Sequence, residues 1–346
     1  MVRRAAPFVI SPSTIRDPYD LKEYIVASAA ETCKLYALLD NNILTRACAI
    51  ADGKAAEVGA ANTESLRLTA SIMCFFILGG FYLEPSLAIY EKAAKANHSA
   101  GLHALKLFRV ADHIHPQKYA DLALGKIQEI SETDLRAAVE LSHENNLRNS
   151  ESDFTRQLEP WRVQYLALLQ AASIWRNKDS SLGAAISYIQ WMEIESFFNV
   201  TGAIFALAFF GPNGPSRMIK VNSETPPNQL IDSVKNAAWD MTYVSQWAKK
   251  ATKARRNEIT FLCSNDKIVK AMARPILIPT NSDQDLELAK FLRQYWSNSD
   301  TNKIVSELNR ATKVVKSSPI ERRSEVKLRY NRIQADISRL EDALLA

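Results

Sequence analysis

The sequence predicts an α/β protein in which a short parallel sheet is combined with many helices. Leu35–Leu39 and Ile259–Cys263 are mostly apolar runs of strand length, and each leads into a polar segment that contains an aspartate, Asp40 or Asp266. Helices are predicted for most of the remaining chain, since only ten glycines occur in 346 residues and apolar residues recur at helical spacing. An acidic residue that follows a buried strand lies at the edge where α/β sheets bind their ligands.

The first third of the chain alternates predicted helices and strands. Residues 1–20 contain three prolines and are expected to be irregular. A short second strand is predicted at Phe81–Glu84, after a helix that ends at Gly79-Gly80, where the glycines suit a helix C-terminus. The other elements predicted here are helices at 20–32, within 42–60, from Glu64 to the paired glycines, and from Pro85 onward.

Helical patterns dominate the rest of the chain. Residues 97–200 are predicted to be helical throughout, with separate helices at Tyr119–Ile130, Trp161–Trp175 and Ala184–Phe198, and a loop is predicted at Pro212–Pro227. Asn228–Lys250 is a further predicted helix, and Asp266–Met272 a short one. Pro275–Pro279 has prolines at both ends, which suits a strand at a sheet edge. From residue 282 the charge density rises, and two or three amphipathic helices are expected, the last at 322–345.

Composition sets limits on the class of protein. The chain is 47% apolar and 23% charged, which is typical of a globular protein, and its formal charge of +5 is compatible with a polyanionic partner. Four separated cysteines without a C-x-x-C pair predict reduced thiols, a cytoplasmic location and no structural zinc site. The apolar runs at 68–83 and 197–210 are shorter than the roughly 20 residues of a membrane span, so buried helices and no membrane partner are expected.

Four short motifs along the chain each carry an acidic residue. In Leu38-Leu-Asp-Asn-Asn-Ile-Leu a strand ends in Asp40, and in Phe261-Leu-Cys-Ser-Asn-Asp-Lys a later strand leads to Asp266. Between them, Pro85-Ser-Leu-Ala-Ile-Tyr-Glu91 places a glutamate near the start of a helix, and Ala237-Ala-Trp-Asp240 places an aspartate in the helix before the closing strand. In this order the four motifs resemble those of the PIN-domain nucleases. The resemblance implies a three-layer α/β/α core with a short parallel sheet, to which this chain adds extensive helices.

The resemblance covers about 33–94 and 230–280 and departs from the family pattern in two places. Asn41 stands where the family usually has Thr or Ser. Residues 92–239, which separate Glu91 from Asp240, exceed what a compact PIN domain needs. The predicted organisation is therefore a PIN-like nuclease domain at 1–281, with a helical insertion at about 97–225, followed by a C-terminal helical appendage at 282–346.

The implied activity is hydrolysis of phosphodiester bonds by a metal-dependent endonuclease, with RNA favoured over DNA. Mg²⁺ and Mn²⁺ prefer carboxylate oxygens, and two such ions about 4 Å apart can activate a water and stabilise the leaving oxygen. The predicted catalytic and metal-binding residues are Asp40, Glu91, Asp240 and Asp266. Asn42, Ser264 and Lys267 are predicted to support the site. Without metal, clustered carboxylates repel each other and some are expected to protonate.

Several alternatives remain open at the level of sequence. Asp40 and Asp266 could each be a helix N-cap, since aspartate is favoured there. Glu84 competes with Glu91 for the second acidic position, and Glu64, Glu193 and Glu195 are outside candidates. A different class of function is a helical interaction protein whose PIN-like core no longer cleaves.

The chain also offers residues for a nucleic-acid contact. The predicted phosphate-binding cluster comprises Lys249, Lys250, Lys253, Arg255 and Arg256. The alternative is a solvated helix end. A regulatory protein partner and a homo-oligomer are both compatible with the sequence.

Overall fold

The computed structural model describes residues 1–10, 17–54, 60–143, 153–177, 180–195, 199–214, 219, 225–254, 257–276, 284–317 and 324–345. The strands are β1 (Phe8–Val9), β2 (Lys34–Leu39), β3 (Tyr82–Glu84) and β4 (Glu258–Cys263). The helices up to residue 143 are α1 (Val2–Ala5), α2 (Leu21–Ala29), α3 (Asn41–Ala51), α4 (Ala60–Leu78), α5 (Ser86–Lys95), α6 (His98–His113), α7 (Pro116–Ala123) and α8 (Glu132–His143). Those that follow are α9 (Glu159–Arg176), α10 (Ser181–Ile194), α11 (Val200–Phe209), α12 (Pro227–Lys253), α13 (Lys267–Ala273), α14 (Gln284–Leu292), α15 (Asn298–Ser317) and α16 (Ser324–Leu345).

The four strands form one mixed sheet in the order β1-β4-β2-β3. β2 pairs in parallel with β3 on one side and with β4 on the other, and Leu39 lies opposite Cys263. The residues that follow β2 and β4 therefore meet at the same edge of the sheet. The broad α/β class with many helices is confirmed. The predicted short parallel sheet is present in β3, β2 and β4, and β1, which was not predicted, adds an antiparallel strand next to β4. The three-layer PIN-like core remains a prediction.

An aromatic cluster fills the space beside one face of the sheet. Phe261 of β4 contacts the rings of Phe8, Tyr24 and Phe81, with centroids 4.9–5.5 Å apart and near-perpendicular planes. Phe75 and Phe76 of α4 complete the cluster. Edge-to-face contacts of this kind add to the stabilisation from burying apolar area. The cluster anchors β4, the strand that precedes Asp266.

The contacts divide the chain into two compact units. The first unit comprises Met1–Arg156 and Lys249–Lys270, and contains the whole sheet. The second comprises Gln157–Ala248 and Ala271–Ala346. The predicted insertion is thus shared between the units, with α6–α8 in the first and α9–α11 in the second. The domain boundary predicted after residue 281 remains a prediction.

In the second unit, the regular elements of the described residues are all helices. α16 packs on α9, where the Tyr165 hydroxyl donates to Glu341 Oε1 over 2.5 Å. α10 packs on α15, and the Trp296 indole N–H donates to the carbonyl of Leu207 over 2.7 Å. In α11 the residues from Thr201 to Ala208 are all buried, as predicted for this apolar run. Among the described helices, none combines the length and apolar character required to cross a membrane.

Most predicted elements are present with small shifts in their ends. The strands predicted at Leu35–Leu39, Phe81–Glu84 and Ile259–Cys263 are confirmed. The helix predicted at Tyr119–Ile130 is wrong in its second half, since α7 ends at Ala123 and Gly125 adopts a positive φ of 72°. In the strand predicted at Pro275–Pro279, the first two residues form a turn, and the others lie outside the described residues.

Candidate carboxylate site at the carboxyl edge of the sheet

Asp40 and Ser264 occupy equivalent positions just beyond two adjacent parallel strands. The register that pairs Leu39 with Cys263 places them side by side, and the Asp40 backbone N–H donates to the carbonyl of Cys263 over 3.1 Å. The Ser264 hydroxyl donates to Asp40 Oδ2 over 2.5 Å. Asp40 Oδ1 accepts from the backbone N–H of Ile43 over 2.8 Å, so this side chain also caps α3.

Burial dominates the electrostatics of Asp40. Its exposed fraction is 4%, and this desolvation raises its pKa to about 6 from an ordinary 3.8. The hydrogen bonds from Ser264 and Ile43 lower the pKa, whereas the negative charges of Glu91 and Asp266 raise it. Two of the other predicted acidic residues are therefore close enough to act on Asp40 electrostatically.

Asp266 is connected to Asp40 through Ser264. The Asp266 backbone N–H donates to Ser264 Oγ over 3.0 Å, and the same hydroxyl donates to Asp40. Asp266 Oδ1 accepts from the backbone N–H groups of Ile268 at 2.6 Å and Val269 at 3.3 Å, so this residue caps α13. Both aspartates are therefore helix N-caps, which was the alternative left open by the sequence. A capping carboxylate still carries the negative charge that a metal ligand needs. The Ser264 hydroxyl thus connects the two aspartates, and its predicted supporting role in a catalytic site remains a prediction.

Glu91 lies in the second turn of α5 and is buried, with an exposed fraction of 6%. Its Oε1 accepts from Lys95 Nζ at 2.6 Å, one helical turn later. Lys95 was not among the residues predicted from the sequence. Its position four residues after a glutamate is the signal that could have identified it.

Glu84, the competitor of Glu91, lies at the carboxyl end of β3 and forms an ion pair with Lys250. Of these two glutamates, Glu91 is the one whose negative charge raises the pKa of Asp40. This difference favours Glu91 as the second acidic residue. Of the outside candidates, Glu64 is exposed, and Glu193 and Glu195 form ion pairs with Arg310 and Arg332 in the second unit.

Asp240 is a half-buried residue of α12 in the part of that helix that belongs to the second unit. Its place in the carboxylate cluster remains a prediction. Asn42 and Lys267 are exposed residues at the start of α3 and α13. The supporting roles of these two residues also remain predictions.

The basic cluster is described in part. Lys249, Lys250 and Lys253 are exposed at the C-terminal end of α12, where positive charge complements the helix dipole. Arg255 and Arg256 lie outside the described residues. Lys250 already has an acidic partner in Glu84.

The donor chemistry of this edge suits a hard divalent cation, since its acidic residues supply carboxylate oxygens. Among the residues that the structure describes, no group of three or more His, Cys, Asp or Glu side chains is arranged to hold a metal ion. Asp40, Glu91 and Asp266 thus match Mg²⁺ or Mn²⁺ in ligand type, whereas their side chains do not form a metal-holding arrangement in the described part of the chain. The hydrogen bonds of Asp40 fix its carboxylate and also occupy both of its oxygens.

Comparisons with protein-family models, with curated proteins and with solved structures found no match for this chain. The relation to the PIN-domain nucleases therefore rests on the four sequence motifs.

Proposed function

We propose that this protein is a divalent-metal-dependent nuclease that hydrolyses phosphodiester bonds, with RNA as the favoured substrate. The observation that carries the proposal is the pair Asp40 and Asp266, which follow adjacent parallel strands and are joined through the hydroxyl of Ser264. The charge of Glu91 acts on the same carboxylate. A position beyond the carboxyl ends of strands is the usual ligand site of an α/β sheet.

The residues of this edge have separable tasks in the proposed reaction. Asp40, Glu91 and Asp266 would hold Mg²⁺ or Mn²⁺, which when bound supplies an activated water and neutralises charge on the phosphate. Ser264 orients Asp40 through one hydrogen bond and the backbone of Asp266 through another. Lys267 and the lysines at the end of α12 would attract the phosphate backbone. The four cysteines are unpaired, which supports a reducing, cytoplasmic location as part of the proposal.

The decisive test compares cleavage by the wild type, Asp40→Asn and Asp266→Asn. Each protein is incubated with single-stranded RNA, structured RNA or DNA, in Mn²⁺, Mg²⁺ or EDTA. We expect the wild type to cleave RNA with metal only and both variants to lose cleavage while remaining folded. Asp20→Asn is the matched control, since Asp20 caps α2 through Lys22 and lies outside the candidate site. Full activity in both site variants would overturn the assignment.

The second candidate is a PIN-like interaction protein that has lost cleavage. It is favoured by the hydrogen bonds that occupy both oxygens of Asp40 and by the burial of that side chain. A regulatory partner or a second copy of the chain would then be the ligand. Calorimetric titration with Mn²⁺ separates the two candidates. Tight binding that Asp40→Asn weakens supports the nuclease, and weak binding together with absent cleavage supports the interaction protein.

A further inference from the structure

Two tyrosine rings lie side by side at the edge of the sheet in the first unit. Tyr36 of β2 is directly opposite Tyr82 of β3, and their ring centroids are 5.5 Å apart at an interplanar angle of 30°. Tyr82 has an exposed fraction of 60%. Among the described large apolar side chains that are exposed, it is the one tyrosine. Cross-strand aromatic pairs stabilise sheets, so part of the role of this pair is structural. Its exposure leaves a ring face available to a ligand.

The strand register places this pair on the same face of the sheet as Asp40. Side chains alternate along a strand, so Lys34, Tyr36, Leu38 and Asp40 leave β2 on one face. Asp40 continues the extended backbone, with φ −75° and ψ 166°. Tyr36 and Asp40 are four positions apart along the chain, which corresponds to about 13 Å of extended backbone. Tyr36 and Asp40 thus lie on one face of the sheet, with the buried Leu38 between them.

Two lysines near the ring pair, Lys34 and Lys250, are suited to contact phosphate groups, and each lies close to a glutamate. Lys34 is exposed beside Tyr36, opposite the half-buried Glu258. Lys250 contacts Glu84, which lies opposite Leu38 and so between the ring pair and Asp40. An exposed ion pair is worth little, so Lys250 can exchange Glu84 for a phosphate at small cost. Aromatic faces combined with cations along a groove are the surface to which single-stranded nucleic acids bind.

We propose that Tyr82, backed by Tyr36, stacks on an unpaired base of a single-stranded nucleic acid whose backbone continues past Lys250 toward Asp40. This inference rests on the proposed function, because it supplies the nuclease with a binding surface for its substrate strand. It also favours unpaired over duplex substrates, since a base within a duplex has no free face to offer. The tyrosine hydroxyl has no part in the stacking.

Binding is measured by fluorescence anisotropy of a fluorescein-labelled single-stranded RNA in EDTA, so that no cleavage is required. We expect Tyr82→Thr to raise the Kd about 10-fold, in line with the loss of one base–aromatic stack, and Tyr82→Phe to leave it nearly unchanged. Thr retains the β-propensity of the position, and thermal melting checks that the variant folds. Leu124→Ala is the control, since Leu124 is also an exposed apolar residue and lies at the end of another element, α7.

The outcomes distinguish this inference from the proposed function. Weaker RNA binding by Tyr82→Thr, with normal binding by Tyr82→Phe, supports the inference even if the wild type never cleaves. Equal binding by all variants overturns it, even if cleavage is lost in Asp40→Asn. Absence of measurable binding by the wild type also overturns it. If Tyr82→Thr alters the oligomeric state in size-exclusion chromatography while RNA binding persists, the edge is a contact between copies of the chain and the inference fails.

Discussion

At the scale of single residues, Asp40 shows how burial and hydrogen bonding oppose each other. Desolvation favours its neutral form, and the hydrogen bonds from the Ser264 hydroxyl and the Ile43 N–H favour its charged form. The outcome is a pKa raised to about 6, so the carboxyl group is mostly charged at neutral pH but protonates readily on mild acidification. A cation bound beside it would favour the charged form and lower the pKa.

The raised pKa of Asp40 predicts a specific dependence of stability on pH. Between its ordinary 3.8 and about 6 the folded chain binds more protons than the unfolded chain, so the free energy of unfolding falls as pH rises through this window. The contribution is fully present below the lower value and lost above the upper one, and it amounts to at most about 3 kcal/mol. Asp40→Asn removes this titration.

Urea unfolding of the wild type and Asp40→Asn at several pH values between 4 and 8 measures the effect. We expect the stability of Asp40→Asn relative to the wild type to increase as the pH rises. Changes in hydrogen bonding that do not depend on pH cancel when the two profiles are compared. Parallel profiles would show that Asp40 does not titrate in this range. The same comparison with saturating Mn²⁺ should flatten the difference, because metal binding holds Asp40 ionised.

At the scale of elements, Asp266 combines a capping position with a proposed ligand position. Its Oδ1 accepts from Ile268 and Val269 at the start of α13, and its backbone N–H donates to Ser264. Asn retains an oxygen that can cap the helix but lacks the negative charge, whereas Ala lacks both. The two substitutions therefore separate the structural role from the chemical one.

We expect Asp266→Ala to lower the free energy of unfolding by about 1 kcal/mol and Asp266→Asn to lower it much less. Both variants should lose metal-dependent cleavage. Thermal melting and a cleavage assay on the same preparations provide the measurements. An active Asp266→Asn enzyme would reduce this residue to a helix cap.

The α5–α6 pair positions Glu91 through a close helix contact. A Cβ atom at Gly101 of α6 would lie 2.8 Å from the Cβ of Ala93 on α5, well inside van der Waals contact. Gly101→Ala is therefore expected to force the helices apart and destabilise the chain by about 1–3 kcal/mol. The double variant Gly101→Ala with Ala93→Gly removes the clash and should recover part of the loss. Urea denaturation of the three proteins tests this. No rescue would mean that the contact with Phe154 Cβ, at 3.3 Å, is the limiting one.

At the scale of the whole molecule, the sequence predicts where the helices and strands lie better than it predicts which of them pair or pack together. The strands before Asp40 and Asp266 are identifiable because each is an apolar run that ends in polar residues. β1 escapes notice because it has only two residues in a proline-rich segment and depends on pairing with β4. The bridge from Ser264 to Asp40 depends on the register of Leu39 with Cys263, which no local pattern encodes.

The helices illustrate the same limit. α7 ends at Ala123, and Gly125, two residues later, adopts a left-handed conformation that stops a helix. The amphipathic pattern of α16 indicates a buried face but does not identify α9 as the helix that covers it. The assignment of α9–α11 and α14–α16 to one unit likewise depends on contacts between distant parts of the chain.

This shared unit leads to a prediction about truncation after residue 281. The truncated chain lacks α14–α16, and with them the buried face of α16 formed by Ile333, Ile337, Leu340 and Leu344. Its loss uncovers α9, including Tyr165, whose exposed fraction in the whole chain is 1%. Exposing the apolar side chains that α16 covers is expected to destabilise the remaining second unit by roughly several kcal/mol, because each Å² of exposed apolar area costs about 25 cal/mol. The first unit keeps all of its own residues.

Hydrogen exchange followed by mass spectrometry on the intact and truncated chains tests this expectation. Amides in 157–248 should lose protection in the truncated chain, whereas amides of β2, β4 and α3 should keep theirs, because the aromatic cluster around Phe261 lies entirely in the first unit. Lys235→Ala in the intact chain is a mild control, since it removes only a 3.6 Å ion pair to Glu341. Full protection of 157–248 after truncation would instead establish 282–346 as an independent appendage, as the sequence pattern predicts. Loss of protection in both units would mean that the sheet depends on the C-terminal helices as well, and the nuclease assay would then require the full chain.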